Sequence, residues 1–168
     1  MTDQSTRALE VAAPDMGPRS APSLRACLVV LAGSLFAVDV AHAREVAVFE
    51  TITAVPRSAS VLLGVANLRG VVVPIVDVRP LLGLPAHRPG ALIKGLVVEA
   101  ASMRAAVAIE AALGLEAFDR MAGHGRNGHV RGMLPRGGEM VALLDTPGLL
   151  TALGRELGTA DEAEEDRG

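Results

Sequence analysis

Aromatic residues and cysteine are scarce in this sequence, and each scarcity argues against certain classes of function. The 168 residues include three Phe and no Trp or Tyr, so the chain has few of the aromatic rings on which unpaired bases stack. The net charge of -3 leaves no basic excess for binding phosphates, and nucleic acid is therefore not an expected partner. The one cysteine, Cys27, cannot form an intramolecular disulfide. Nothing therefore requires an oxidising compartment, and we expect a cytoplasmic protein.

The motifs of nucleotide, metal and hydrolase sites are also missing. Residues 145–148, Asp-Thr-Pro-Gly, resemble the magnesium-contacting step of a GTPase, but the chain has no phosphate-binding loop of the form G-x-x-x-x-G-K-[ST]. The glycine spacing of residues 123–128 resembles a dinucleotide fingerprint, yet a strand-like run follows where a helix is needed. Apart from the pair His124 and His129 in one loop, the four histidines have no ligand spacing on one element, and no G-x-S-x-G elbow activates a serine. We expect no catalytic centre, no metal ion and no cofactor.

No apolar run reaches the roughly 20 residues of a membrane-spanning helix, so direct membrane insertion is not expected. Residues 28–38 are almost wholly apolar and are followed by Ala-His-Ala at 41–43, which is the outline of a signal peptide. Asp39 and the Gly33-Ser34 pair interrupt that outline. We interpret the segment as two strands, residues 25–31 and 35–40, joined by a Gly33-Ser34 turn.

Half of the residues are hydrophobic, which is enough for a sizeable core. Short β-branched runs separated by Gly and Pro are typical of small barrels or a sandwich. Residues 1–23, which are rich in Pro and polar residues, predict a disordered leader. Residues 158–168 predict a solvated acidic tail. The globular domain is thus expected over residues 24–157.

An internal repeat with an offset of 68 residues predicts two similar subdomains. A stretch beginning at Leu28 recurs from Leu96, and one beginning at Gly64 recurs from Gly132, without a gap in register. We predict two β subdomains, residues 24–85 and 92–157, packed against each other. The repeat also makes Asp77 and Asp145 equivalent, and each is predicted to be the N-cap of a short helix.

A turn predicted at residues 67–70, Asn-Leu-Arg-Gly, lies between two apolar strands. Asn67 and Gly70 are residues that tolerate positive φ, so they explain the turn, whereas nothing in a turn requires a long cation at Arg69. Arg69 either pairs with a carboxylate such as Glu45 or Asp77, or binds a partner. The two roles are compatible if a partner competes for the guanidinium.

Residues 64–79, GVANLRGVVVPIVDVR, followed by LGLP at 82–85, resemble the signature of the CheW family of chemotaxis coupling proteins. Residues 36–40, Glu45 and residues 52–56 match the spacing into that signature, and the resemblance spans residues 25–153. It implies a mainly β fold of two small SH3-like barrels packed together, with short helices. It also implies an adaptor in two-component signal transduction, which bridges the cytoplasmic tip of chemoreceptors to the regulatory domain of the histidine kinase CheA.

The resemblance also implies binding residues. The receptor-facing positions fall on Arg69, Glu45, Gly64 and Ala43. The candidate kinase contacts are Val40, Ala43 and Val46. Two positions depart from the family pattern, because Ala43 stands where Val is preferred and Val48 stands where a basic residue is common.

Other functions remain open at this point. The same module could act in pilus motility or another signalling pathway. A small-molecule sensor or an enzyme could use the cleft between two barrels. The absence of convergent polar groups in the sequence favours the adaptor over the sensor and the enzyme.

Overall fold

The computed structural model describes residues 24–88, 90 and 92–165, with side chains up to residue 158. The predicted leader, residues 1–23, lies outside the described residues. The described elements in chain order are β1 (Leu24–Leu31), β2 (Ser34–Asp39), β3 (Ala43–Phe49), β4 (Leu62–Leu68), β5 (Val71–Val76), a 3-10 helix (Pro80–Leu82), β6 (Ile93–Ala100), β7 (Met103–Ile109), β8 (Ala111–Phe118), β9 (Val130–Arg136), β10 (Glu139–Leu144) and α1 (Thr146–Glu165). The fold is mainly β, as predicted.

Each of the two five-stranded sheets takes strands from both halves of the chain. The strand order is β8-β1-β2-β10-β9 in one sheet and β3-β6-β7-β5-β4 in the other. The hairpin of each half is thus inserted between strands of the opposite half. The boundary predicted near residues 85–92 separates the repeats but does not separate the sheets, because a repeat in sequence does not reveal which strands pair.

Each sheet curls around an apolar core of its own. One core contains residues from all five strands of the first sheet, including Phe118 on β8 and Leu134 on β9 at its two edges. The other contains residues from all five strands of the second sheet, including Phe49 on β3 and Ala66 on β4. We call the two sheets barrel A and barrel B. This architecture confirms the predicted pair of small SH3-like barrels.

Equivalent turns of the two halves are separated by two different numbers of residues. The β4–β5 and β9–β10 turns lie 68 residues apart, at Arg69-Gly70 and Gly137-Gly138. The β1–β2 and β6–β7 turns lie 69 residues apart, at Ala32-Gly33 and Ala101-Ser102. The predicted gap-free register is therefore correct for the second stretch and wrong by one residue for the first.

The slip of one residue changes which side chains are equivalent, because successive residues of a strand point to opposite faces. Leu28 lies in the core of barrel A, and its true counterpart Val97 lies in the core of barrel B. Leu96, which the sequence matched to Leu28, lies in a third core between the barrels. The sequence did not reveal the slip because aliphatic residues occupy both faces of these buried strands.

The predicted hairpin of β1 and β2 is confirmed, with its turn one residue earlier than expected. Leu31 pairs with Ser34, so the turn residues are Ala32 and Gly33, whose φ angles are 49° and 76°. Two residues at positive φ make the turn that suits the twist of a hairpin. Both strands lie inside barrel A, between β8 and β10.

Helix α1 covers one side of the core between the barrels. Leu149, Leu150 and Leu153 are buried in that core. Asp145 precedes the helix, and its Oδ1 accepts the Gly148 N–H at 3.2 Å, so the predicted N-cap is confirmed. The helix is longer than the short turn expected. It continues to Glu165 and includes most of the predicted tail, since Ala and Glu are good helix formers.

The matching prediction for Asp77 is wrong. Arg79 occupies the N-cap position of the 3-10 helix, and no side chain caps that helix. Asp77 is buried, and its Oδ1 accepts both the backbone N–H and the guanidinium of Arg79. The two aspartates share a position in the repeat, but Asp77 is one partner of a buried ion pair.

The β6–β7 turn offers a test of the backbone geometry. Ser102 has a φ of 65°, which costs an L residue about 1 kcal/mol that glycine avoids. We expect Ser102→Gly to raise the free energy of unfolding by about 0.5–1 kcal/mol in urea titrations. Ser34→Gly is the matched control, because Ser34 is an exposed strand residue without positive φ. A loss of stability in both variants would contradict the turn geometry.

Candidate functional site

A bidentate ion pair joins Arg69 to Glu45. The Arg69 Nη1 donates to Glu45 Oε1 at 2.9 Å, and Nη2 donates to Glu45 Oε2. The edge strands of barrel B are β3 and β4. Glu45 lies on β3 and Arg69 lies directly after the end of β4, so the ion pair bridges the seam where these two edges meet. Of the two pairing partners that the sequence offered, the structure selects Glu45, and Asp77 is taken by Arg79.

The backbone of this turn differs from the prediction at one residue. Positive φ angles occur at Arg69, 51°, and Gly70, 84°, but not at Asn67. Asn67 instead stabilises the turn through its side chain, whose Oδ1 accepts the Gly70 N–H at 2.7 Å. The equivalent turn of barrel A has glycine at both positions, Gly137 and Gly138. Arg69 thus adopts a backbone conformation that glycine adopts more easily, and its side chain forms the ion pair with Glu45.

The guanidinium of Arg69 keeps donors for a partner. Its side chain is 75% exposed, whereas that of Glu45 is 28% exposed. An arginine has five N–H groups, and the Glu45 carboxylate uses two of them. Glu45 thus holds the planar group in one orientation at the surface, where its remaining N–H groups can donate to a carboxylate or backbone carbonyl oxygen of another molecule.

Exposed valines lie on β3 and β5, the strands that carry or adjoin this ion pair. Val46 and Val48 alternate with half-buried residues along β3, while Val71 and Val72 begin β5 directly after the turn. Their exposed fractions run from 43% to 66%. A groove of about 500 Å³ runs between the strands, and Val48, Val65 and Val72 are among the residues that line it. We call the surface formed by Glu45, Arg69, Val46, Val48, Val71 and Val72 the seam surface.

The structure separates the remaining predicted site residues from this surface. Gly64 is buried, with a φ of 151°, and a Cβ added there would lie 2.5 Å from the Thr53 carbonyl oxygen. Glycine at this position therefore permits close packing of β4 under residues 52–53 and offers no side chain to a partner. Ala43 and Val40 are half-buried, and Ala43 packs against the core between the barrels.

Of the predicted set, Arg69 and Glu45 thus lie in contact at the surface, and Val46 is exposed next to Glu45 in β3. Val48, Val71 and Val72 were not among the predicted site residues. Strict alternation in β3 and a pair of valines directly after a turn are the signals that could have found them.

The described part of the chain shows neither a metal site nor a membrane-spanning helix. Within residues 24–88, 90 and 92–165, no group of three or more His, Cys, Asp and Glu side chains is placed to hold a metal ion. No helix in these ranges is long and apolar enough to cross a membrane.

Comparison with known proteins identifies the family. The family model of the CheW-like domain matches residues 25–154. The chain belongs to the CheW family. A probable chemotaxis protein CheW of Rhizobium etli is 41% identical over 56 residues, which are 33% of this chain and 36% of that protein. The match therefore spans about a third of the length of this curated relative.

A solved CheW structure shares the fold. The crystal structure of the scaffolding protein TtCheW from Thermoanaerobacter tengcongensis superposes with a TM-score of 0.69 at 20% sequence identity. The superposition covers 79% of this chain and 96% of that one. The resemblance noted in the sequence is thereby confirmed, and the two packed barrels are those of a CheW fold.

Proposed function

We propose that this CheW-family protein is a cytoplasmic, non-enzymatic adaptor that couples the cytoplasmic tip of chemoreceptors to the regulatory domain of a CheA-type histidine kinase. The observation that carries the proposal is the seam surface, which combines an oriented, exposed guanidinium with exposed valines on β3 and β5. Family membership supports this class of partner.

Such a surface suits protein partners. Exposed aliphatic side chains contribute contact area, and a few oriented charges select the partner and fix its orientation. The chain has three Phe and no Trp or Tyr, which are the side chains that dominate tight interfaces, so each contact should be of modest strength. An adaptor that binds two partners within a larger assembly gains its net strength from multivalency.

The two partners are assigned to neighbouring parts of the surface. We assign receptor binding to Arg69 and Glu45, with Ala43 at the margin and Gly64 acting only through packing. We assign kinase binding to the segment that contains Val40, Ala43 and Val46, in which Val46 is the exposed member.

A co-precipitation experiment tests the adaptor function. Purified full-length protein is mixed with a kinase regulatory domain, a receptor-tip fragment, or both. The proposal predicts binding to each fragment alone and a three-component complex when both are present. Binding to neither fragment would contradict it. A panel of fragments from chemotaxis and pilus-motility pathways identifies the pathway served.

The kinase contact has a test of its own. We expect Val46→Ser to weaken binding of the kinase regulatory domain about tenfold, because burial of one valine contributes about 1.5 kcal/mol. Val55→Ser is the matched control, since Val55 has similar exposure, 39% against 43%, but lies outside the assigned segment. Isothermal titration measures both variants. Equal affinities for the two variants would contradict the assignment of Val46.

A further inference from the structure

A buried arginine joins three structural elements at one edge of the contact between the barrels. The side chain of Arg79, which follows β5 of barrel B, is 2% exposed. Its Nη1 donates to Asp77 Oδ1 at 3.0 Å and to the Ala108 carbonyl oxygen on β7 at 3.1 Å. Its Nη2 donates to Glu110 Oε1 at 3.5 Å. The guanidinium thus connects the end of β5 with the end of β7.

Glu110 extends this connection into barrel A. It lies between β7 of barrel B and β8 of barrel A, where the chain crosses from one sheet to the other. Its Oε2 accepts the Gly33 N–H at 3.0 Å, in the β1–β2 turn. Its own backbone N–H donates to the Val30 carbonyl oxygen at 3.0 Å. The hydrogen-bonded series Asp77–Arg79–Glu110–Gly33 therefore crosses from barrel B to barrel A.

The carboxylates of the network have their hydrogen bonds satisfied. The Gly33 N–H holds the pKa of Glu110 below its usual value, so the carboxylate is charged at neutral pH. The remaining oxygen of Asp77, Oδ2, accepts the His87 N–H at 2.6 Å. All four carboxylate oxygens of Asp77 and Glu110 thus have donors. Asp77 and Arg79 are buried, while the Glu110 side chain is 44% exposed, and a polar network with every acceptor satisfied favours one geometry.

At the equivalent positions of the described chain, the repeat does not place a second Arg–Glu pair. In the repeat, Arg79 corresponds to Pro147 and Glu110 corresponds to Ala41, neither of which carries a charge. The opposite edge of the contact is covered by α1, which contributes Leu149, Leu150 and Leu153 to the core between the barrels. Apolar contact is non-directional, so it holds the barrels together without selecting one angle between them.

We propose that Arg79 and Glu110 form a latch that holds the β1–β2 hairpin of barrel A against barrel B and so fixes the relative orientation of the two barrels. They act as positioning residues and do not themselves contact a partner. The latch does not depend on which proteins bind.

A distance measurement tests the latch. Spin labels are attached through cysteines introduced at Arg25 on β1 and Lys94 on β6, which are exposed and equivalent positions of the two barrels. Cys27 is buried, and the chain without introduced cysteines reports any labelling there. Glu110→Ala is expected to broaden or shift the distance distribution. The Gly33 amide should also exchange about tenfold faster, since it loses a bond to a charged acceptor.

Glu99→Ala is the matched control. Glu99 is similarly exposed and pairs with Arg44 and Arg104, all within barrel B. It should leave the distance distribution unchanged. Arg79→Lys keeps the positive charge beside Asp77 but loses the fork that reaches Glu110, and we expect it to broaden the distribution as Glu110→Ala does. An unchanged distribution in Glu110→Ala, or equal broadening in Glu99→Ala, would overturn the proposal.

Discussion

Asp77→Ala is expected to lower the free energy of unfolding by about 3–5 kcal/mol, which is the usual cost of removing one partner of a buried ion pair. The side chains of Asp77 and Arg79 are 3% and 2% exposed. Without Asp77, the guanidinium keeps only the Ala108 carbonyl oxygen and the more distant Glu110 carboxylate. The His87 N–H also loses its acceptor. Urea unfolding followed by circular dichroism measures the loss.

The repeat supplies the matched control for this variant. Asp145 occupies the equivalent position and caps α1 through one bond to the Gly148 N–H. Asp145→Ala should therefore cost about 0.5–2 kcal/mol, as is usual for a lost N-cap. If Asp77→Ala does not fold, Asp77→Asn, which keeps an acceptor but loses the charge, should fold with an intermediate loss. Equal losses for Asp77→Ala and Asp145→Ala would show that both aspartates are simple caps.

The contrast between the two aspartates shows what a repeat can predict. Similar residues at a fixed offset correctly indicated two similar sets of strands. They did not indicate the role of Asp77. That role depends on Arg79, which pairs with Asp77 and also donates to the carbonyl oxygen of Ala108, 29 residues after Arg79. The exchange of hairpins between the barrels was hidden for the same reason, since pairing between distant strands leaves no local pattern.

The candidate site was predictable to a similar extent. Turn residues and the family resemblance identified Arg69 and Glu45, and the structure places them in contact. Gly64 was assigned to a partner, although its glycine is explained by the Thr53 carbonyl oxygen above it. Val72 was not among the predicted site residues, although the pair of valines directly after the turn is a signal that could have found it.

Arg69→Gly is expected to weaken receptor binding about 10- to 150-fold, which corresponds to a charge-assisted hydrogen bond of about 1.5–3 kcal/mol. The fold should be retained, because glycine is the natural residue for a φ of 51° and occupies the equivalent position, Gly137. The lost ion pair is largely exposed, so it contributes at most about 1 kcal/mol to stability. Thermal melts should therefore agree closely with those of the native protein.

Arg69→Lys tests whether receptor binding needs the planar guanidinium of Arg69 or only its positive charge. An ammonium retains the positive charge but cannot form two parallel bonds with the Glu45 carboxylate, so it should restore only part of the lost affinity. If lysine restored full affinity, the orientation of the guanidinium by Glu45 would have no role in binding. If either variant melted far below the native protein, Arg69 would be a structural residue, and its assignment to binding would be wrong.

Titration of native protein and Arg69→Gly with a receptor-tip fragment and, separately, with a kinase regulatory domain is the most direct test of the adaptor function. The seam surface predicts that the native protein binds both fragments, and that Arg69→Gly loses about 10- to 150-fold in affinity for the receptor fragment while its melting temperature stays close to native. Folded Arg69→Gly that binds both fragments with native affinity would contradict the assignment of function to this surface.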